Sequence, residues 1–277
     1  MPLKLMYITN DPIVAKIAEE AGVDRIFIDM EYIGKEERQG GLDTVKSHHT
    51  FDDIKRVKGS LTSTELLVRI NPIHEALLDY PSSKEEVDRV VYNGADIIML
   101  PYFKTVKEVE TLIKYVEGRV KIMLLVETPE AVNVIDDVLK LDGIDEIHIG
   151  LNDLSLGYNK KFMFELLCDG TVEMLSKKIV EKGIPFGFGG IASLGKGMLP
   201  AEKIILEHYR LGSSFAILSR TFCNAEKSEL EVIKRTFDDG IRDIRKFEAQ
   251  ISKSGISFED NLEDIKKTVN KIVESKQ

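Results

Sequence analysis

The chain is short of cysteine, of positive charge and of long apolar runs, and each shortage excludes a class of protein. Two cysteines in 277 residues, Cys168 and Cys223, cannot form a disulfide framework and suit a reducing cytoplasm. Lys and Arg number 38 against 47 Asp and Glu, a net charge of −9. That balance argues against a sequence-independent nucleic-acid binder, which needs a basic footprint. It says nothing against a small anionic substrate held by one or two local cations. The longest purely apolar stretch near the middle, Ile122 to Val126, is far short of the ~20 residues that span a bilayer. Met1 to Met6 shows no charged region followed by a long apolar one, so no signal peptide is expected. No stretch rich in Pro, Gly or Ser reads as a linker, so one domain over residues 1–277 is expected.

What the chain does have is a series of short apolar, β-branched runs with helical patterns between them. Strands are predicted at Lys4–Ile8, Arg25–Asp29, Leu66–Ile70, Asp96–Leu100, Lys121–Val126, Glu146–Ile149, Pro185–Phe188 and Ser214–Leu218. Most are near-continuous in hydrophobicity, the signature of strands covered on both faces. Helix starts are marked by Asp11-Pro12 and Thr128-Pro129, and by the capping-box patterns Ser83 to Glu86 and Thr105 to Glu108. Eight strand–helix units make a (β/α)8 TIM barrel the first choice, ahead of a doubly wound open sheet, because closure leaves no edge strand. From residue 223 onward no strand appears. Glu229–Ile251 and roughly Leu262–Ser275 read as helices separated by Gly255, a helical extension suited to capping the barrel or to subunit packing.

In such a barrel the chemistry sits where the strands end. Glu127 and Asp153 follow adjacent predicted strands and should face one mouth. Two carboxylates with no Cys nearby suit a hard divalent cation such as Mg2+, which keeps waters and leaves room for substrate oxygens. The alternative for Asp153 is helix capping. Arg69 ends the third strand, where a guanidinium can grip a carboxylate or an enolate oxygen; its alternative is an ion pair with an acid such as Glu31.

These same segments carry a family resemblance. Leu125 to Val132 and Ile147 to Ser155, supported by Val68 to Asn71 and Gly94 to Pro101, resemble the HpcH/HpaI aldolase and citrate lyase β-subunit family over roughly Met1 to Arg220. The resemblance implies a metal-dependent carbon–carbon lyase that cleaves or forms a bond between pyruvate, or a related 2-oxo acid, and an aldehyde. It implies that Glu127 and Asp153 hold Mg2+ (or Mn2+ or Co2+) and that Arg69 stabilises the enolate oxygen. It further implies that the backbone at Gly150 and Leu151 receives the substrate carboxylate. An acyl-CoA lyase of the citramalyl or malyl type, and a catalytically idle homologue, are the alternatives. A homo-oligomer assembled through the C-terminal helices is also implied.

One departure matters. Aldolases of this family often carry His after the Glu that ends the second strand, and here the pair is Glu31-Tyr32. Tyrosine, with a reference pKa of ~10, is a poor base at neutral pH. The long polar loop that follows offers His48 or His49 as acid/base, and Arg38 or Lys46 for an anionic substrate tail. Gly190 to Gly197 mimics a P-loop but lacks the Ser/Thr after its Lys, so nucleotide hydrolysis is not expected. As a glycine-rich loop after the seventh strand, it places Ser193 and Lys196 as candidates for a substrate phosphate or carboxylate.

Overall fold

The computed structural model describes residues 1–34, 49–251, 253, 255 and 257–276. Eight parallel strands close into a barrel in sequence order: β1 (Lys4–Ile8), β2 (Arg25–Asp29), β3 (Glu65–Arg69), β4 (Ile97–Leu100), β5 (Lys121–Val126), β6 (Glu146–Ile149), β7 (Phe186–Ile191) and β8 (Phe215–Leu218). The fold is the predicted TIM barrel. Most strand ends agree within one residue with the apolar runs. β7 runs three residues further, because its pairing with β8 shifts register between Gly187 and Gly190. Glycines carry no strand signal of their own, so this irregular end was unreadable from pattern.

Side chains alternate across the barrel wall. Leu5, Ile26, Val68, Ile98 and Leu124 pack outward under the helices. Met6, Phe27, Leu67, Ile97, Met99, Met123, Leu125 and Phe215 fill the interior. Gly187 makes this filling possible: a Cβ there would lie 2.3 Å from the Phe215 ring and 2.2 Å from its carbonyl. The amino end of the barrel is closed by Arg25. Its two terminal nitrogens donate to Glu146 at 2.5 and 2.6 Å, and its Nε donates to Glu65 at 2.8 Å. Lys121, at the start of β5, pairs with Glu65 at 2.6 Å, at the end of the barrel remote from the mouth.

Capping chemistry sets most helix starts. Asp11 accepts from Ile13 and Val14 ahead of helix Pro12–Glu20, and Thr105 with Glu108 forms a reciprocal box. The cap of helix Ser83–Tyr92 is Ser82, one residue earlier than the pattern suggests. Ser83 instead accepts the His74 N–H at 2.8 Å, and Glu86 is drawn into a buried network described below.

The C-terminal region is not a separate unit. Helix Leu230–Ile251 packs beside helix Pro12–Glu20 as the eighth barrel helix, and Glu248 and Arg245 both hold the Leu3 backbone at 2.7 Å. Helix Phe258–Ser275 is the surplus one. Its Ile265 and Val269 are buried, and it packs on helices Ala201–Leu211 and Glu165–Cys168 of the same chain. Among the described residues, no helix is long and apolar enough to cross a membrane.

Candidate active site

Strand parity carries charge to one mouth. On β2 the inward series is Arg25, Phe27, Asp29; on β3 it is Leu67, Arg69; the series Met123 and Leu125 on β5 continues to Glu127. The register pairs Asp29 directly with Arg69. Arg69 Nε and Nη2 donate to the two Asp29 oxygens, both at 2.8 Å, while Nη1 lies 3.5 Å from Glu31. The two carboxylates are buried and the Arg69 side chain is 14% exposed. Burial alone would discourage the charge on Arg69, but the neighbouring Asp29 and Glu31 hold it well above the ordinary arginine value. The principal ion-pair partner is therefore Asp29, with Glu31 further off, and the guanidinium still reaches the cavity.

Glu127 follows β5. Its Oε1 accepts the Tyr102 N–H at 3.0 Å, from a residue held at φ 49°. Gly150 makes room on the other side: a Cβ there would lie 2.8 Å from Glu127 Cβ and 3.0 Å from Oε2. Asp153 is not the cap of the following helix, Leu151–Gly157, which starts after Gly150 with no side-chain cap. It lies in the first turn and lines the cavity with Glu127.

Among the described residues, Asp29, Glu31, Glu127 and Asp153 are four carboxylates facing one guanidinium, a net charge of −3 if all ionise. Burial pushes the Glu127 carboxyl well above 4.5, Glu31 and Asp153 push it further, and Arg69 only partly opposes them. A group in that position is stabilised either by a proton or by a cation. Two carboxylates in an oxygen-rich setting fit a divalent ion that takes the rest of its shell from water and substrate. No set of three or more His, Cys, Asp or Glu ligands occurs among the described residues, so the described side chains offer a two-carboxylate site.

The cavity over these groups is about 190 Å3. Arg69, Glu127, Asn152, Asp153 and Ser219 supply its polar wall, and Phe27, Met99, Leu125 and Ile217 its apolar one. A wider cavity of about 760 Å3 lies at the amino ends of β3 to β5, where Lys58 and Lys121 are already paired with Asp96 and Glu65. It lies at the end of a barrel that serves stability.

The remaining candidates fall unevenly. His49 is fixed at the top of β2, where its Nδ1 accepts the Asp29 N–H at 2.9 Å; the proton of the neutral ring is then on Nε2. His48, Arg38 and Lys46 lie outside the described residues. The Gly150 N–H is spent on the Val126 carbonyl at 2.9 Å, so its part in the site is the missing side chain. Leu151 lines the cavity. The structure does not bring Ser193 or Lys196 there: Ser193 donates to the Phe222 carbonyl, and Gly195, just before Lys196, donates its N–H to Glu202. Tyr32 is 44% exposed, and partial burial with the charges of Glu86 and Asp79 pushes its hydroxyl above the ordinary tyrosine value, which keeps it protonated at neutral pH.

Sequence reasoning missed three parts of the site. Asp29 clamps Arg69, a pairing legible only from register. His148 lines the cavity from within an apolar run. Asn71 accepts the N–H groups of Tyr32 and Ile33 at 3.0 and 2.9 Å, and donates to the buried Glu86 at 2.9 Å. That network fixes the exit of β2 beside Glu31.

Comparison with known proteins agrees with this architecture. The fold matches an HpcH/HpaI aldolase from Desulfitobacterium hafniense DCB-2 with a TM-score of 0.59 at 17% identity, over 88% of this chain and 93% of that one. It matches an HpcH/HpaI aldolase/citrate lyase family protein from Burkholderia cenocepacia J2315 with a TM-score of 0.61 at 13% identity, over 88% and 95%. It matches the citrate synthase SbnG with a TM-score of 0.58 at 15% identity, over 88% and 94%. At these identities the likeness is one of fold. No curated protein matches the chain. The sequence profile of the HpcH/HpaI aldolase/citrate lyase family matches residues 4–181, well over half of the length. The chain belongs to that family, and its kind is that of a carbon–carbon lyase.

Proposed function

We propose that the protein is a metal-dependent lyase of the class II aldolase type, which makes or breaks a bond between pyruvate, or a related 2-oxo acid, and an aldehyde. The observation that supports this most is the buried Glu127, crowded by Glu31 and Asp153 across one small cavity from Arg69. Glu127 and Asp153 would hold the divalent ion, Mg2+ before Mn2+ or Co2+. Bound there, it supplies Lewis acidity to the 2-oxo group of the substrate.

The protein's own groups do the rest. Arg69, locked by Asp29, presents positive charge where the enolate oxygen develops, and a preset donor of this kind costs no reorganisation during reaction. With the Gly150 amide engaged, the Leu151 backbone is the proposed seat of the substrate carboxylate. Cleavage breaks the bond between C3 and the former aldehyde carbon. The electron pair stays on the 2-oxo acid as its enolate, and a base takes the hydroxyl proton as the aldehyde leaves. His48 or His49 is proposed for the acid/base step; as it is seated, His49 presents its Nε2 proton and would serve as the acid in the bond-forming direction. Arg38 and Lys46 are proposed for an anionic tail of the substrate. The C-terminal helices are proposed to carry a homo-oligomer in the cytoplasm; a light-scattering mass equal to one chain would count against the assembly.

Oxaloacetate tests the core of the reading. Loss of its C4 carboxylate as CO2 leaves the pyruvate enolate, which takes a proton at C3. Decarboxylation that needs Mg2+ or Mn2+ and disappears in Glu127→Ala is expected. Absence of activity with either metal, or full activity in the variant, refutes it.

A further inference from the structure

The chain leaving β3 forms a loop from Pro72 to Pro81 whose tip stands in solvent. Leu77 and Leu78 are at that tip, and Leu78 is fully exposed. One fastening of the loop is Tyr80. Its ring lies against Tyr32 and Phe51, and its hydroxyl donates to Glu86 at 2.8 Å. The other fastening is His74, at the neck.

Backbone and ring of His74 both act there. Its N–H donates to Ser83 Oγ at 2.8 Å, and its carbonyl accepts the Ser83 N–H at 3.1 Å. The ring bridges the two ends of the loop. Nδ1 lies 2.7 Å from the Pro72 carbonyl oxygen, and Nε2 lies 2.9 Å from that of Pro81. Both oxygens can only accept, so each needs an N–H opposite it. A neutral imidazole has one N–H and one lone pair. In either tautomer one carbonyl oxygen would face a nitrogen lone pair at 2.7 or 2.9 Å. Ser83 Oγ, 3.0 Å from Nδ1, can donate to that nitrogen, but this leaves the closer Pro72 oxygen against the same lone pair. Only the imidazolium serves both carbonyls.

The surroundings accept the charge. From helix Ser83–Tyr92, Glu86 is the carboxyl that feels His74 as an opposite charge. Lys84 and Arg89 of that helix are paired with Asp88 and Glu85. Tyr80 presents its ring, with centroids 5.8 Å apart. On the loop itself, Glu75 and Asp79 are exposed acids.

We propose that His74 is a pH-sensitive clasp: as an imidazolium it ties both ends of the Pro72–Pro81 loop, and on losing its proton it releases one of them. The sign is fixed by the geometry. Both bonds are complete while the ring is charged, and one is lost as pH rises through its titration. The neck adjoins Asn71, which holds the Tyr32 and Ile33 backbone, so the clasp governs how firmly the chain leaves β3 beside the site. It stands apart from whichever reaction the site performs.

Two measurements on the full chain test it. In protein labelled with 15N at histidine, both ring N–H protons of His74 should be visible by NMR about one pH unit below the ordinary histidine value of ~6.5, because each is held on a carbonyl. Their loss in His74→Gln assigns them. One visible N–H, or none, overturns the proposal. The second measurement is hydrogen exchange at the N–H groups of Leu77, which donates to the Tyr80 carbonyl at 2.9 Å, and of Ser83. It is read as protection corrected for the intrinsic rate. From that pH to about two units above ~6.5, protection should fall at least about tenfold, the worth of one hydrogen bond to a charged group. Helix Val106–Val116 should keep its protection as the control. In His74→Gln, whose amide donates to one side only, protection should be low and independent of pH. Constant protection in the parent, or an equal fall in the variant, overturns the proposal.

Discussion

Replacing Gly150 with alanine isolates the geometry of Glu127 from its chemistry. The backbone at Gly150 has φ −82° and ψ 89°, which alanine can adopt, so the cost is steric. The added Cβ would meet Glu127 Cβ at 2.8 Å and Oε2 at 3.0 Å, against an ordinary contact of 3.4 Å. Glu127 must retreat by 3.4 − 2.8, or 0.6 Å, at Cβ and by 3.4 − 3.0, or 0.4 Å, at the carboxylate. Leu125 Cδ1, at 3.2 Å, also crowds the new methyl, and the Tyr102 N–H anchors Oε1. Functional groups tolerate misplacement of only about 0.5 Å. Divalent-ion affinity and kcat/KM should therefore both fall roughly 10–100-fold, the usual cost of misorienting a ligand. Overpacking should remove about 1–3 kcal/mol of stability. Mn2+ titration by calorimetry, oxaloacetate decarboxylation and urea unfolding in chelator measure the three effects. Gly59→Ala, at a helical site with nothing within 4 Å, is the control and should leave function intact. A folded Gly150→Ala protein with parental metal affinity and turnover would refute the assignment of Glu127 as a ligand seated against this glycine.

Three further outcomes follow from the same contacts. Arg69→Lys cannot reproduce the two-pronged bond to Asp29 or aim a second arm into the cavity, so kcat should fall about 100–1000-fold in steady-state assays; a loss under about threefold would contradict the role. Glu127 has a folded-state pKa above its ordinary 4.5, first through burial and then through Glu31 and Asp153. Its stabilising protonated form is complete below that pH and is lost as pH rises, because the unfolded chain ionises first. The melting temperature of the metal-free parent should thus fall relative to Glu127→Gln as pH rises above 4.5, and parallel pH profiles would disprove the burial argument. Asn71→Ala strands the N–H groups of Tyr32 and Ile33 and removes a donor from Glu86, so chemical unfolding should show a loss of about 2–3 kcal/mol. A change within the error of that measurement would mean the network is not holding the β2 exit.

The two ends of the barrel show what a sequence can and cannot disclose. Strand number, most helix caps and the charged residues at strand ends are local patterns, and they were legible. Whether a charge is satisfied is not local. At the amino end, Arg25 and Lys121 meet Glu65 and Glu146, two cations and two carboxylates that close on one another. At the carboxyl end, among the described residues, Arg69 meets Asp29, Glu31 and Glu127, and Asp153 acts on Glu127. Both sets come from the same inward parity, and β2 contributes Arg25 to one and Asp29 to the other, four residues apart. Composition counts all of them alike in the net charge of −9. Only register decides that Asp29 stands beside Arg69 and that Glu127 is left among acids. His148 was hidden for a related reason: within Glu146–Ile149 it reads as one polar residue in a strand, and its place in the cavity wall, stacked on Phe215, comes only with the closed barrel. What marks the carboxyl end as the working end is Glu127, whose buried carboxyl is pushed up by burial and by Glu31 and Asp153 despite Arg69, a perturbation of the kind that clusters where proteins bind and react.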